Sequence, residues 1–125
     1  MILDTNAISA LISGDPKLEI VLESALRHHL SVIALGEYRF GLRASQHRHA
    51  IEPLIDRLEQ ESHVLTINSA TAQMYADIRH ELKLAGHPIP ENDIWIAALS
   101  RQHNLPVISR DQHFRWIDGL KLLTW

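Results

Sequence analysis

The feature that most restricts what this chain can fold into is an alternation of two periodicities. Short apolar runs at Met1-Ile2-Leu3, Leu30 to Leu35, Val64 to Ile67, Leu105 to Ile108 and Leu120 to Leu123 are separated by stretches whose apolar residues return every three or four positions. The short runs read as buried strands and the intervening stripes as helices that cover them. One stripe opens at Asp15-Pro16, a cap followed by proline at the first helical position, carries Leu18, Val21, Leu22, Ala25 and Leu26, and closes near His28-His29. A second helix runs from Gly36 to Ala44 with Glu37 in its first turn, and a third from Ala50 to Glu61 with Pro53 near its start. Asn68 or Ser69 caps a long helix that Gly86 closes. Asn92 to Leu99 is apolar nearly all round, the mark of a buried helix, and Asp111 to Ile117 forms a last short one. Strands alternating with helices argue for a parallel sheet covered on both faces. The expected fold is α/β, a three-layer α/β/α sandwich with a central parallel sheet, spanning residues 1–125 as a single domain.

Composition narrows the function. With 46% hydrophobic residues in 125 the chain has enough apolar surface for a real core. It has no cysteine, so disulfide and thiolate chemistry are excluded, and an intracellular, cytoplasmic setting is expected. No apolar run approaches the roughly 18 residues of a membrane span, and the start of the chain lacks a basic leader. A net charge of −3 excludes a basic nucleic-acid coat, although a nucleic-acid partner fits if the basic residues are grouped. The nine histidines are mostly scattered, as at His28, His63, His80 and His103. His47-x-His49 lacks a second pair at zinc-site spacing, so solvated surface is the preferred reading.

Four acids fall where such a sheet places its ligands. In Ile2-Leu3-Asp4-Thr5-Asn6, Asp4 ends the first strand and Asn6 can cap the helix that follows. Asp111 follows the strand ending at Ile108, while Glu37 and Asp93 lie in the first turns of helices. One acid in a first turn does no more than complement the helix dipole. Four at matching ends of a parallel sheet converge on one crevice, where carboxylates repel each other unless a cation compensates. Mg²⁺ or Mn²⁺ takes oxygen ligands, activates water and offsets charge on a phosphodiester under attack. Helix N-termini beneath Glu37 and Asp93 would favour ionised acids and a bound anion. Glu91, beside Asp93, reads as a supporting or capping residue before a ligand.

These residues resemble those of the PIN-domain nucleases, most of all the VapC-type toxins of toxin–antitoxin pairs. The resemblance rests on Asp4 within Ile2 to Asn6, Glu37 four before Gly41, Asn92-Asp93 leading Ile96-Ala97-Ala98, and Ser109-Arg110-Asp111 leading Phe114. It covers essentially the whole chain, and the ordered set of four motifs is specific where each alone is not. It implies a metal-dependent endoribonuclease with Asp4, Glu37, Asp93 and Asp111 as the Mg²⁺ or Mn²⁺ site. Asp4 and Asp93 would coordinate directly, Glu37 and Asp111 directly or through water, and Asn6 would be a supporting polar contact. It further implies a homodimer, a structured RNA substrate and an antitoxin whose tail covers the groove. One departure stands out. Many relatives carry a hydroxyl residue three before the glutamate, and this chain has Ala34, which leaves that helix start less well pinned.

Arg39 and Arg43, one turn apart on the Glu37 helix, and Arg110 beside Asp111 are candidates for holding RNA phosphates, against salt-bridge partners or solvated side chains. A receiver-type phosphoacceptor domain would need adjacent acids after the first strand, where Asp4 stands alone, and a lysine at the end of the last, where Lys121 lies within it. A haloacid-dehalogenase-type phosphatase needs an aspartate where Asn6 stands. An RNA-maturation PIN nuclease without an antitoxin, and a PIN-like scaffold that binds without cutting, are the remaining alternatives.

Overall fold

The computed structural model describes residues 1–24 and 27–125. Five strands, β1 (Ile2–Leu3), β2 (His29–Ser31), β3 (His63–Leu65), β4 (Val107–Ile108) and β5 (Leu122–Leu123), form one sheet in the order β3-β2-β1-β4-β5. Every pairing is parallel. The connections are α1 (Thr5–Ile12), α2 (Pro16–Glu23), α3 (Val32–Arg43), α4 (Arg48–Glu61), α5 (Ser69–Ala85), α6 (Glu91–His103) and a 3₁₀ helix, Gln112–Trp116. They cover the sheet as the α/β/α sandwich expected from the alternation. Ile2, Leu3, Val107 and Ile108 have no exposed surface, so the central strands are buried on both faces, as parallel sheets require. The chain winds outward from β1 through β2 to β3, then crosses back through α5 and α6 to lay β4 on the other side of β1. The strand order therefore reverses between β1 and β4, and the crevice beyond their carboxyl ends is where such sheets bind ligands.

Several boundaries differ from those expected, each for a local reason. The strand expected over Leu30 to Leu35 stops at Ser31, whose hydroxyl accepts from the Ala34 amide at 3.0 Å and starts α3 at Val32. Glu37 consequently lies in the second turn of α3, away from the positive helix end. Ser31 also supplies the cap that Ala34 cannot. Asn6 does not cap α1: the cap position belongs to Asp4, and Asn6 sits inside the first turn. Asp15 caps α2 as expected, accepting from the Lys17 amide at 2.9 Å, and the helix ends at Glu23. Ala25 and Leu26, read as its continuation, lie outside the described residues, and His29 already belongs to β2. The third expected helix begins earlier, at Arg48, which places Pro53 inside α4. α5 opens with a reciprocal cap between Asn68 and Thr71 and closes on Gly86, whose φ of 72° suits glycine. After Asp111 the chain makes a 3₁₀ turn instead of an α-helix.

Candidate active site

Asp4 is 4% exposed, and although it occupies the cap position of α1 its side chain makes no capping bond to that helix. Its partner comes from the neighbouring strand. The Ser109 hydroxyl donates to Asp4 Oδ2 at 2.7 Å, accepts from Asn6 Nδ2 at 3.1 Å and accepts from the Asp111 amide at 2.9 Å. Asn6 completes the join with Oδ1, which accepts from the Arg110 amide at 3.1 Å. Ser109, with no exposed surface, thus ties the end of β1 to the end of β4. Thr5 reaches toward α3 and donates from Oγ1 to Glu37 Oε2 at 2.8 Å.

The other two acids meet on the far side of the crevice. Asp93 lies in the first turn of α6, and Asp111 caps the 3₁₀ helix by accepting from the His113 amide at 2.9 Å. The His113 ring sits between them, its Nδ1 3.2 Å from Asp93 Oδ2 and 2.9 Å from Asp111 Oδ1. Among the described residues, Asp93, Asp111 and His113 are the group whose donor atoms converge within 4.8 Å of one another.

Burial and mutual repulsion govern the electrostatics. Burial, then the charges of Asp111 and Asp4, push the Asp93 carboxyl up to about 6 against the opposing pull of His113. Burial also raises Asp4, with Glu37 and Asp111 adding to the rise, while the Ser109 hydroxyl and the Thr5 amide oppose it. Partly buried carboxylates that resist ionisation together, beside an imidazole nitrogen, are a donor set that fits a divalent cation.

The remaining candidates fall elsewhere. Glu91 is exposed and accepts from the Tyr75 hydroxyl at 2.9 Å, facing Arg79 at 3.9 Å. At the first residue of α6 it points to α5, so it makes neither the supporting contact nor the cap bond considered for it. Arg39 is held through Nη2 by Asp56 at 2.9 Å and by Glu59, both on α4, so that part of its guanidinium faces that helix. Arg43 is exposed in the last turn of α3. Arg110 turns its guanidinium to Asp15, at 3.1 Å, and over the Trp125 ring, 4.4 Å from its centroid. Ser109, Thr5 and His113 were not singled out by the sequence reading. His113 follows Asp111 by two residues, the spacing at which an aspartate caps a following amide, but that signal is lost among nine histidines.

A parallel sheet with acids gathered at its switch point defines an α/β protein with an acidic crevice. Residues 1–120 match the PIN domain family, and the chain belongs to that family. It is 31% identical over 120 residues to ribonuclease VapC5 of Mycobacterium tuberculosis, covering 94% of this chain and 87% of the relative. It is 33% identical over 121 residues to the toxin FitB of Neisseria gonorrhoeae, covering 89% and 87%. Among solved structures it resembles VapBC-1 from nontypeable Haemophilus influenzae with a TM-score of 0.86 at 30% identity, covering 99% of this chain and 96% of that one. The similarity to FitAcB from Neisseria gonorrhoeae has a TM-score of 0.82 at 30% identity, over 98% and 95%.

Proposed function

We propose that this protein is a divalent-cation-dependent endoribonuclease and the toxin of a toxin–antitoxin pair. The observation that carries the reading is the meeting of Asp93 and Asp111 beside His113, close enough to Asp4 that the charges of these acids raise one another on top of burial. The names of its relatives support the same conclusion, two of them being a ribonuclease and a toxin. Mg²⁺ or Mn²⁺ would be held by Asp4 and Asp93, with Glu37 and Asp111 completing the site directly or through water. Such an ion supplies an activated water and offsets the charge that builds on the phosphodiester.

The chain's own residues prepare that site. Ser109 and Asn6 fix the Asp4 carboxylate, and Thr5 holds one oxygen of Glu37. Asp111 is anchored through its own amide to Ser109, the residue whose hydroxyl holds Asp4. Outside the crevice, Arg43 and Arg110 are the candidates for flanking phosphates. The substrate is a structured RNA, the protein works as a cytoplasmic homodimer, and an antitoxin neutralises it. The likeness to a solved member of the VapBC family of toxin–antitoxin systems, VapBC-5 from Mycobacterium tuberculosis, supports that last point.

The test uses partner-free protein and a pool of structured RNAs with Mg²⁺ or Mn²⁺. Parallel reactions contain chelator, Asp4→Asn or Asp93→Asn. Discrete cuts that vanish in all three controls are expected, together with growth arrest on expression that Asp4→Asn relieves. Cleavage persisting in both variants, or neither cleavage nor arrest from folded protein, would overturn the proposal.

A further inference from the structure

Building on the metal site proposed above, we infer that His113 is a direct imidazole ligand of the cation, which makes this a mixed nitrogen–oxygen site that favours Mn²⁺ over Mg²⁺. Three observations carry it. First, the 3₁₀ turn leaves His113 little choice of position. Asp111 accepts from the His113 amide, and the next residue, Phe114, is fully buried and anchors the turn in the core. The ring is thereby folded back over the carboxylate that caps its own backbone.

Second, the same nitrogen serves two elements. Nδ1 is 2.9 Å from Asp111 on the β4 side and 3.2 Å from Asp93 on α6. Adjacent donors on a six-coordinate ion with bonds of about 2.1 Å stand about 3 Å apart. Nδ1 is already at that spacing from both carboxylate oxygens, so the neutral ring, with its proton on Nε2, can bond the ion through the Nδ1 lone pair. Third, the site is open on this side. The His113 side chain is 48% exposed, against 11% for Asp93, which gives an ion a route to the buried carboxylate past the ring.

Carboxylate and water suit Mg²⁺ and Mn²⁺ alike, but Mn²⁺ belongs to the first-row series that also accepts nitrogen donors, although it stands lowest in that series. A nitrogen in the shell therefore adds affinity for Mn²⁺ that Mg²⁺ does not share. The rival account is that His113 is only a counter-charge holding two carboxylates together, which an arriving ion displaces.

Pulsed electron paramagnetic resonance on the full chain with substoichiometric Mn²⁺ separates the two. A directly bonded ¹⁴N coupling is expected in the wild type, absent in His113→Gln and absent in Asp93→Asn. Titration of the same proteins by calorimetry should show His113→Gln weakening Mn²⁺ binding at least about tenfold. Mg²⁺ binding should change by less than about threefold. Mn²⁺ bound without ¹⁴N coupling, or a His113→Gln variant that binds Mn²⁺ as the wild type does, would overturn the inference and leave the nuclease reading intact. No Mn²⁺ binding by the wild type would overturn both. The coupling is read on the wild-type protein itself, so the result stands whether or not the variant folds.

Discussion

Asp93→Asn should stabilise the metal-free protein, and by an amount that grows with pH. The substitution keeps the shape of the side chain and removes its charge. In the folded chain the Asp93 carboxyl is pushed from 3.8 up to about 6, mostly by burial and then by Asp111 and Asp4. A raised value means that the fold prefers the protonated form. That stability is fully present below the unfolded value and is lost as pH rises through the folded one. At 1.36 kcal/mol per unit, the raised value costs the native state, relative to the unfolded chain, about 1.6 kcal/mol at pH 5 and about 3 kcal/mol at pH 7.5. An asparagine incurs neither cost. The stability gap in favour of Asp93→Asn should therefore widen by about 1.4 kcal/mol between the two pH values.

Urea denaturation of both proteins in chelator, at pH 5 and pH 7.5, measures this gap directly, and equal m-values would confirm that the unfolded states are comparable. A gap that stays flat or narrows as pH rises would refute the account of Asp93 as a buried, repelled carboxylate. Saturating metal should close most of this gap at pH 7.5. Wild type gains about 2.7 kcal/mol at an ion concentration one hundred times its Kd, and the variant gains less.

Three further outcomes follow from the geometry. Ser109→Ala removes the hydroxyl shared by Asp4, Asn6 and the Asp111 amide, so it should cost about 2–4 kcal/mol in chelator by urea denaturation and weaken metal binding. A loss below about 0.5 kcal/mol would show that the hydroxyl is not the joint described. Arg39→Ala should lower stability by no more than about 1 kcal/mol, because its ion pairs with Asp56 and Glu59 are partly exposed. It should leave RNA affinity at moderate salt unchanged, and a marked loss would return Arg39 to the binding surface. Gly86→Ala meets open space but a left-handed backbone, and should cost about 1 kcal/mol by urea denaturation with cleavage unaffected.

The order of elements was legible because hydrophobic periodicity is written along the chain, and with it the sheet end to which the acids belong. What was not legible depended on contacts that periodicity does not encode. Val32 and Ile33 look like a continuing strand, but one buried hydroxyl at Ser31 turns the chain into α3, and that moved Glu37 from the first turn to the second. Asn6 has the right chemistry for a cap, yet its amide is spent on Ser109, 103 residues away in the chain. The acids that hold Arg39 lie on a different helix, 17 and 20 residues further on, so only the folded packing shows that its charge is occupied. His113 is the sharpest case. Its neighbour Asp111 was identified from its place after a strand, but the histidine matters only because Asp93 arrives beside it from α6.

The register of the central strands explains why these residues meet at all. Leu3 pairs with Leu30 on one side and with Ile108 on the other, so the residues that follow, Asp4, Ser31 and Ser109, stand at one level at the carboxyl ends of three neighbouring strands. All three are polar and buried, and each takes a different task there. Asp4 enters the crevice, Ser31 starts the helix that delivers Glu37, and Ser109 binds Asp4 to Asp111. A slip of β4 by one residue would put Ile108 or Arg110 level with Asp4 and reverse which side chains face the core. Strands of two residues hold little by themselves, so the register must be fixed by the fully buried Ile2, Leu3, Val107 and Ile108 and by their flanking bonds. Those bonds run from the Ile2 amide to Pro106 at 2.8 Å and from the Asp4 amide to Ile108 at 3.2 Å. The shortness of the sheet is thus part of the site. Because apolar sequence stops at the same level in three adjacent strands, the floor of the crevice is polar, and longer strands would fill with side chains the space where the acids converge.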